Sequence, residues 1–215
     1  MIICIGREYG SGGHEIGKRI ADNLHLSFYD NELLETATKH SNIEFEKLKK
    51  ADEKKANSWL HTILYEADEK NLRGLSANDI LFQVQSSMIL EFAKEDNCVF
   101  VGRCSDNVLT KANIPHISLF ITAPFSDRVN RKMQLLSLDE KSTITLVRKT
   151  DKQRKAYYDF YTGGSWGKPN NYDICINSST LGLESTVNSL SIILPKLEKK
   201  YIHRGEMNKR SNNYA

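Results

Sequence analysis

Five short apolar runs punctuate the chain, at residues 2–6, 28–29, 98–101, 117–121 and 173–176. Between them apolar residues recur at helical spacing rather than in alternation. Ile16, Ile20, Ala21 and Leu24 share one face of a helix predicted over 14–24. Asp30 suits the cap of a helix over 31–40, with Leu33, Leu34 and Ala37 inside it. Residues 42–75 differ in character: Glu44 to Lys55 is dense in both charges, and Trp59, Leu60, Ile63 and Leu64 then form an apolar face, which predicts a helical insertion with one solvated side. Ser76-Ala77-Asn78-Asp79 resembles a capping box that opens a helix to about Lys94. Further helices are expected over 125–136, 139–161 and 183–200, and from about Ile202 the polar chain is expected to fray into a disordered tail.

Strands alternating with helices imply an α/β protein whose parallel sheet is covered on both faces. In such sheets ligands gather beyond the carboxyl ends of the strands. Three features fall there: the segment 7–13, the pair Gly102-Arg103, and the residues after the 117–121 run.

Composition narrows the partners. The 215 residues are enough for one α/β domain with a small insertion, and a net charge of +3 favours anionic ligands but is too weak to argue for nucleic acid, so no nucleic-acid partner is expected. No apolar run reaches the length of a membrane span, and the first residues enter a strand without a basic leader, so a cytoplasmic protein with no membrane partner is expected. Cys4, Cys98, Cys104 and Cys175 include no C-x-x-C pair. Cys4, Cys98 and Cys175 sit in or beside apolar runs and are expected to be small buried residues.

The first strand runs into Arg7-Glu8-Tyr9-Gly10-Ser11-Gly12-Gly13-His14 and then into a helix. Strand, glycine turn and helix N-terminus together make a phosphate cradle. A dinucleotide fingerprint fits poorly, because Glu15 stands where its third glycine belongs. The mononucleotide pattern fits in part: with its last glycine on Gly12, Gly13 takes the place of the lysine and His14 that of the hydroxyl residue. A purely structural tight turn is the remaining alternative. Arg7 opens the loop and offers a planar fork to phosphate oxygens in the lysine's stead. Imidazole suits Mg²⁺ poorly, which leaves Ser11 as the candidate hydroxyl for that ion. Arg103, at a strand's carboxyl end, is a candidate for an anionic ligand, with Asp106 three residues on either orienting it or capping the next helix. Asp151 and Arg154 share a face of the basic stretch 148–154, and Tyr157, Tyr158, Phe160, Tyr161 and Trp166 follow as a set suited to packing that stretch onto the core.

Taken together, Arg7 to Gly13 with Glu15-Ile16-Gly17, Phe28-Tyr29-Asp30, Val101 to Asp106, Asp151 with Arg154, Tyr157, Tyr158, Thr162 and Trp166, and Tyr172-Asp173 with Asn177-Ser178 resemble the cytidylate kinase-like family, a divergent branch of the P-loop nucleoside monophosphate kinases. The resemblance implies a P-loop three-layer α/β/α domain over 1–201 with about five parallel strands. It also implies a helical monophosphate-binding insertion at about 31–80 and a helical lid at about 139–168. It implies an ATP-dependent phosphotransferase using Mg²⁺, with a nucleotide or other small phosphate-bearing substrate. Gly10, Ser11, Gly12, Gly13 and His14 would hold donor phosphates, Asp30, Arg103 and Asp106 would face the acceptor, and Arg154, with Arg148, would cross the transferring group. The chain departs from that family's usual pattern at Gly13 and His14, and at Cys104, where an acidic residue is usual. A nucleotide-binding regulatory protein without turnover is the alternative this leaves.

Overall fold

Parallel strands buried on both faces read as near-continuous apolar runs, and the runs pair accordingly. The computed structural model describes residues 1–30, 77–95 and 97–212. Its strands are β1 (Ile2–Arg7), β2 (Ser27–Tyr29), β3 (Cys98–Val101), β4 (Ile117–Thr122) and β5 (Ile174–Asn177). They form one parallel sheet in the order β2–β3–β1–β4–β5. β1 sits at the centre, with Ile2 opposite Cys98 on one side and Ile3 opposite Ile117 on the other. The sheet order reverses direction at β1, so the crevice at its carboxyl end is where ligands bind in open α/β sheets.

Helices cover both faces. α1 (Gly13–Leu24) lays Ile16, Ile20 and Ala21 onto Ile3, Ile5, Val99, Leu119 and Ile121, beside Val187, Leu190 and Leu194 of the last helix. The opposite face, Ile2, Cys4, Cys98 and Phe100, is covered by Val84, Met88 and Ile89 of α2 (Ala77–Lys94) and by Val108 and Leu109 of α3 (Ser105–Lys111). Period-two alternation in β1 therefore sends Ile3 and Ile5 to one layer and Ile2 and Cys4 to the other. The architecture is a three-layer α/β/α P-loop kinase fold. The polar helices α4 (Phe125–Leu136) and α5 (Glu140–Thr162) pack against each other at the carboxyl end of the sheet; α5 begins where Asp139 accepts a hydrogen bond from the Ser142 N–H at 3.0 Å. A four-residue helix, α6 (Ser178–Leu181), and α7 (Leu183–Asn212) complete the chain.

Two expectations meet the structure differently. Cys4, Cys98 and Cys104 are buried, but Cys175 is exposed, because β5 is an edge strand with one open face. α7 continues to Asn212, past Ile202, where the sequence predicts fraying; Glu206, Met207, Lys209 and Arg210 are all good helix formers. The helix expected over 31–40, the charged insertion over 42–75 and the Ser76 cap lie outside the described residues. Among the described residues no helix is long and apolar enough to cross a membrane.

The glycine loop is shaped by close approach as much as by dihedral freedom. Gly10 and Gly12 have φ of 88° and 80°, the left-handed region that favours glycine. Gly13, the first residue of α1, needs no such φ. A Cβ there would lie 2.5 Å from Arg7 Cβ and 3.2 Å from Ile121 Cβ. The stem of Arg7 fills the space from which a lysine at 13 would have to start. Alanine for glycine in a helix ordinarily stabilises by about 1 kcal/mol. Gly13→Ala is expected to reverse that sign and destabilise by about 1–3 kcal/mol through overpacking, read as a lowered urea midpoint; a raised midpoint would show that the stem of Arg7 yields easily.

Candidate functional site

The loop between β1 and α1 is fixed before any ligand arrives. The Ser11 hydroxyl donates to the Glu8 carbonyl at 2.9 Å, and the Ser178 hydroxyl donates to the Ser11 carbonyl at 2.6 Å. The Glu8 carboxylate accepts from Thr122 Oγ1 at 2.5 Å and from the Ala123 N–H at 3.1 Å, tying the loop to the end of β4. No side chain caps the N-terminus of α1, so its first N–H groups stay available to an anion.

Arg128 and Asp151 bind this loop to the two polar helices. The buried Arg128 guanidinium donates to Asp151 at 2.5 Å, to the Ala123 carbonyl at 3.0 Å and to the Tyr9 carbonyl at 3.2 Å, and lies 3.5 Å from Glu8. Asp151 in turn accepts from the Tyr9 N–H at 2.7 Å. Three residues along the same face of α5, Arg154 donates to the Arg7 carbonyl at 3.0 Å. The helix that the sequence marks as a lid is thus docked on the loop, and its docking sets where Arg154 stands.

Two cavities meet at this point. One, of about 340 Å³, lies beyond the ends of β1 and β3 and is lined by Gly6, Gly102, Arg103, Asp106, Tyr158 and Trp166 among others. The second, of about 320 Å³, lies over the glycine loop and is lined by Gly10, Gly12, Gly13, His14, Arg131 and Lys132 among others. Arg7 and Arg154 line both.

The electrostatics of the junction are unbalanced. Burial, followed by the charges of Arg154 and Arg103, pushes the Arg7 guanidinium down to about 9, with Asp30 opposing. Burial likewise lowers Arg154, against the pull of Asp151. Arg7, even at about 9, stays protonated at neutral pH. Arg7 Nε is buried without a hydrogen-bond partner, and its terminal nitrogen would lie 2.1 Å from a Cβ on Gly102. Gly102 therefore lets the head of Arg7 pass, as Gly13 lets its stem. Gly102, Arg103 and Cys104 have φ of 85°, 57° and 56°, three consecutive left-handed residues. A non-glycine residue in this region costs on the order of 1–3 kcal/mol, and such strain gathers at functional sites. The Arg103 guanidinium lies 5.5 Å from the centre of the Tyr157 ring.

The sequence candidates are distributed as follows. Arg7, Arg103, Arg154 and Asp106 line the sheet-end cavity, and Gly10, Gly12, Gly13 and His14 line the loop cavity. Asp106 does not cap α3, whose N-cap is Cys104. It accepts from the Tyr158 hydroxyl at 2.7 Å, and burial raises its carboxyl against that hydrogen bond. Asp30 lies at the end of β2 with an oxygen 2.7 Å from His14 Nε2. Two candidates are elsewhere. Arg148 is exposed and stacks on Phe125, its guanidinium 5.3 Å from the ring centre, because its turn of α5 faces α4 rather than the loop. Ser11 is buried, and its hydroxyl donates to the Glu8 carbonyl. The Glu8 and Glu15 carboxylates are engaged by Arg128 and Arg131. Among the described residues no cluster of His, Cys, Asp and Glu could hold a metal ion. The donors present, backbone N–H groups and guanidiniums, fit phosphate oxygens instead.

Sequence reasoning missed Arg128, Arg131 and Lys132. Read as one face of an ordinary polar helix, they carry no motif, and only the packing of α4 against the loop brings them to the site.

Comparison with known proteins places the fold and the family. A solved but uncharacterised protein from Eubacterium ventriosum is 26% identical, with a TM-score of 0.63 over 92% of this chain and 97% of that one. Shikimate kinase from Bacteroides thetaiotaomicron is 17% identical with a TM-score of 0.50, over 91% of this chain and 98% of that one, a likeness of fold alone. No curated protein matches the chain. The family model for the cytidylate kinase-like family matches residues 2–180, all five strands and both polar helices, and with it the nucleotide-binding character of that family. The chain belongs to the cytidylate kinase-like family.

Proposed function

We propose that this protein transfers the γ-phosphoryl group of ATP to a nucleoside monophosphate of the CMP or dCMP type, or to a similar small phosphate-bearing acceptor. The observation that carries this reading is the sharing of Arg7 and Arg154 by two adjoining cavities. A group that passes from a ligand in one cavity to a ligand in the other would pass the two arginines common to both.

The donor's phosphates would lie on the loop amides and the N-terminus of α1. The acceptor would lie in the sheet-end cavity with its phosphate toward Arg103 and its remaining polar groups toward Asp106 and Asp30. An acceptor phosphate oxygen is already ionised near neutral pH, so attack on the γ-phosphorus needs no protein base. The new P–O bond forms as the bond to the β,γ-bridging oxygen breaks, and ADP carries away the electron pair. Charge spreads over the transferring oxygens and the leaving oxygen, and Arg7 and Arg154 would stabilise it there with donors already oriented by Gly13, Gly102 and the Arg7 carbonyl. Docking of α5 would exclude the water that otherwise hydrolyses the donor.

A second reading, a nucleotide-binding regulatory protein without turnover, is favoured by Gly13 in the lysine position. ADP release measured with ATP, Mg²⁺ and a panel of nucleoside monophosphates separates the two. Release that depends on one of the monophosphates is expected; nucleotide binding without release from any of them would replace the first reading with the second.

Given an active acceptor, Arg154→Ala is expected to lower kcat by about 100-fold or more, as loss of one transition-state charge contact does, with KM for both substrates changed far less. Arg103→Ala is expected to raise the acceptor KM by about 10-fold or more, the worth of a charge-assisted contact, while leaving the ATP KM near its starting value. The opposite pattern, with Arg154 governing KM and Arg103 governing kcat alone, would reverse the two assignments.

A further inference from the structure

The missing loop lysine leaves a question of charge that Arg7 does not answer. The stem of Arg7 lies against Gly13 and its head against Gly102, toward the sheet-end cavity. It therefore reaches the place where a group is transferred, not the outer part of the loop where the rest of a triphosphate would lie. His14 faces Asp30 at 2.7 Å. Arg131 is held at 2.6 Å by Glu15. Lys132, one residue further along α4, is placed differently. Its ammonium lies 4.4 Å from the centre of the Tyr9 ring and lines the loop cavity with Gly10, Gly12 and Gly13. No carboxylate pairs with it among the described residues. Burial, then Arg131 and Arg154, lower its pKa, so its surroundings add positive charge rather than neutralise it.

We propose that Lys132, carried by α4 across the loop, supplies the donor-phosphate charge that lysine at position 13 supplies in other P-loop kinases. The inference rests on the phosphotransferase reading for the identity of the donor, and it makes the cation a property of α4 instead of the loop. Gly13 then marks a relocation of the charge, made necessary by the stem of Arg7, rather than its loss. Tyr9 is the hinge of this arrangement. Its backbone N–H is bonded to Asp151, and its ring meets both Lys132 and the Arg154 guanidinium, the latter 5.3 Å from its centre. α4 and α5 thus each bring a cation to one aromatic side chain of the loop.

Equilibrium binding of ATP and of inorganic tripolyphosphate, without acceptor, tests this on the full chain. Lys132→Met is expected to weaken both by about 10-fold or more, the worth of one charge-assisted phosphate contact. Lys132→Arg is expected to restore most of the affinity, and Lys18→Met, an exposed control on α1, to change nothing. A second measurement needs no variant: ATP or tripolyphosphate is expected to slow acylation of Lys132 in the unaltered protein severalfold, read by peptide mass spectrometry, while Lys18 reacts as before. Unchanged affinity in Lys132→Met, or equal acylation of Lys132 with and without ATP, would overturn the proposal while leaving the phosphotransferase reading standing. Failure of the unaltered protein to bind either compound would overturn that reading and the proposal with it.

Discussion

Arg7 leaves the end of the central strand and runs between two glycines. Its stem lies where a side chain on Gly13 would begin, and its guanidinium lies where one on Gly102 would begin. Burying a guanidinium is costly unless it is paired, and here its nearest strong influences are two more arginines, opposed by one aspartate. The fold accepts this arrangement at the carboxyl end of its central strand, where the sheet order reverses. A bound anion would relieve the repulsion that the protein alone leaves in place. Much else follows from the path of Arg7: the glycine in the lysine position, the left-handed turn that begins at Gly102, and the use of cations from other elements around the loop.

The second constraint is how α5 is held. Asp151 accepts from the Tyr9 N–H, Arg128 spans Asp151 and the Tyr9 carbonyl, and Arg154 reaches the Arg7 carbonyl. These contacts join backbone groups of the loop to side chains of two helices. Arg128 is buried, so its ion pairs are screened less than those at the surface. The consequence is geometric: the register of α5 on the loop fixes Arg154 at the boundary of the two cavities.

Much of this was legible in the sequence. Buried parallel strands announce themselves as apolar runs, and β1, β3 and β4 lie where the runs predict them. Arg7, Arg103 and Arg154 could be singled out because each follows a strand or shares a helical face with an acidic partner. Lys132 could not, since its neighbours on α4 look like a solvated surface until the loop is packed against them. Nor does the sequence show that the Ser11 hydroxyl is buried and donates to the Glu8 carbonyl. Cys175 misled because an apolar run does not reveal whether its strand lies at the centre or the edge of the sheet.

The account's central claim is that the two cavities form one site, joined across Arg7 and Arg154. Titration calorimetry with a bisubstrate compound tests it most directly: adenosine and cytidine joined 5′ to 5′ through five phosphates, compared with ATP and CMP separately. A continuous site predicts one molecule bound per chain, at least about 10-fold more tightly than ATP, because the second half binds at high effective concentration. Affinity no greater than that of ATP alone, with CMP still able to bind beside it, would contradict the claim.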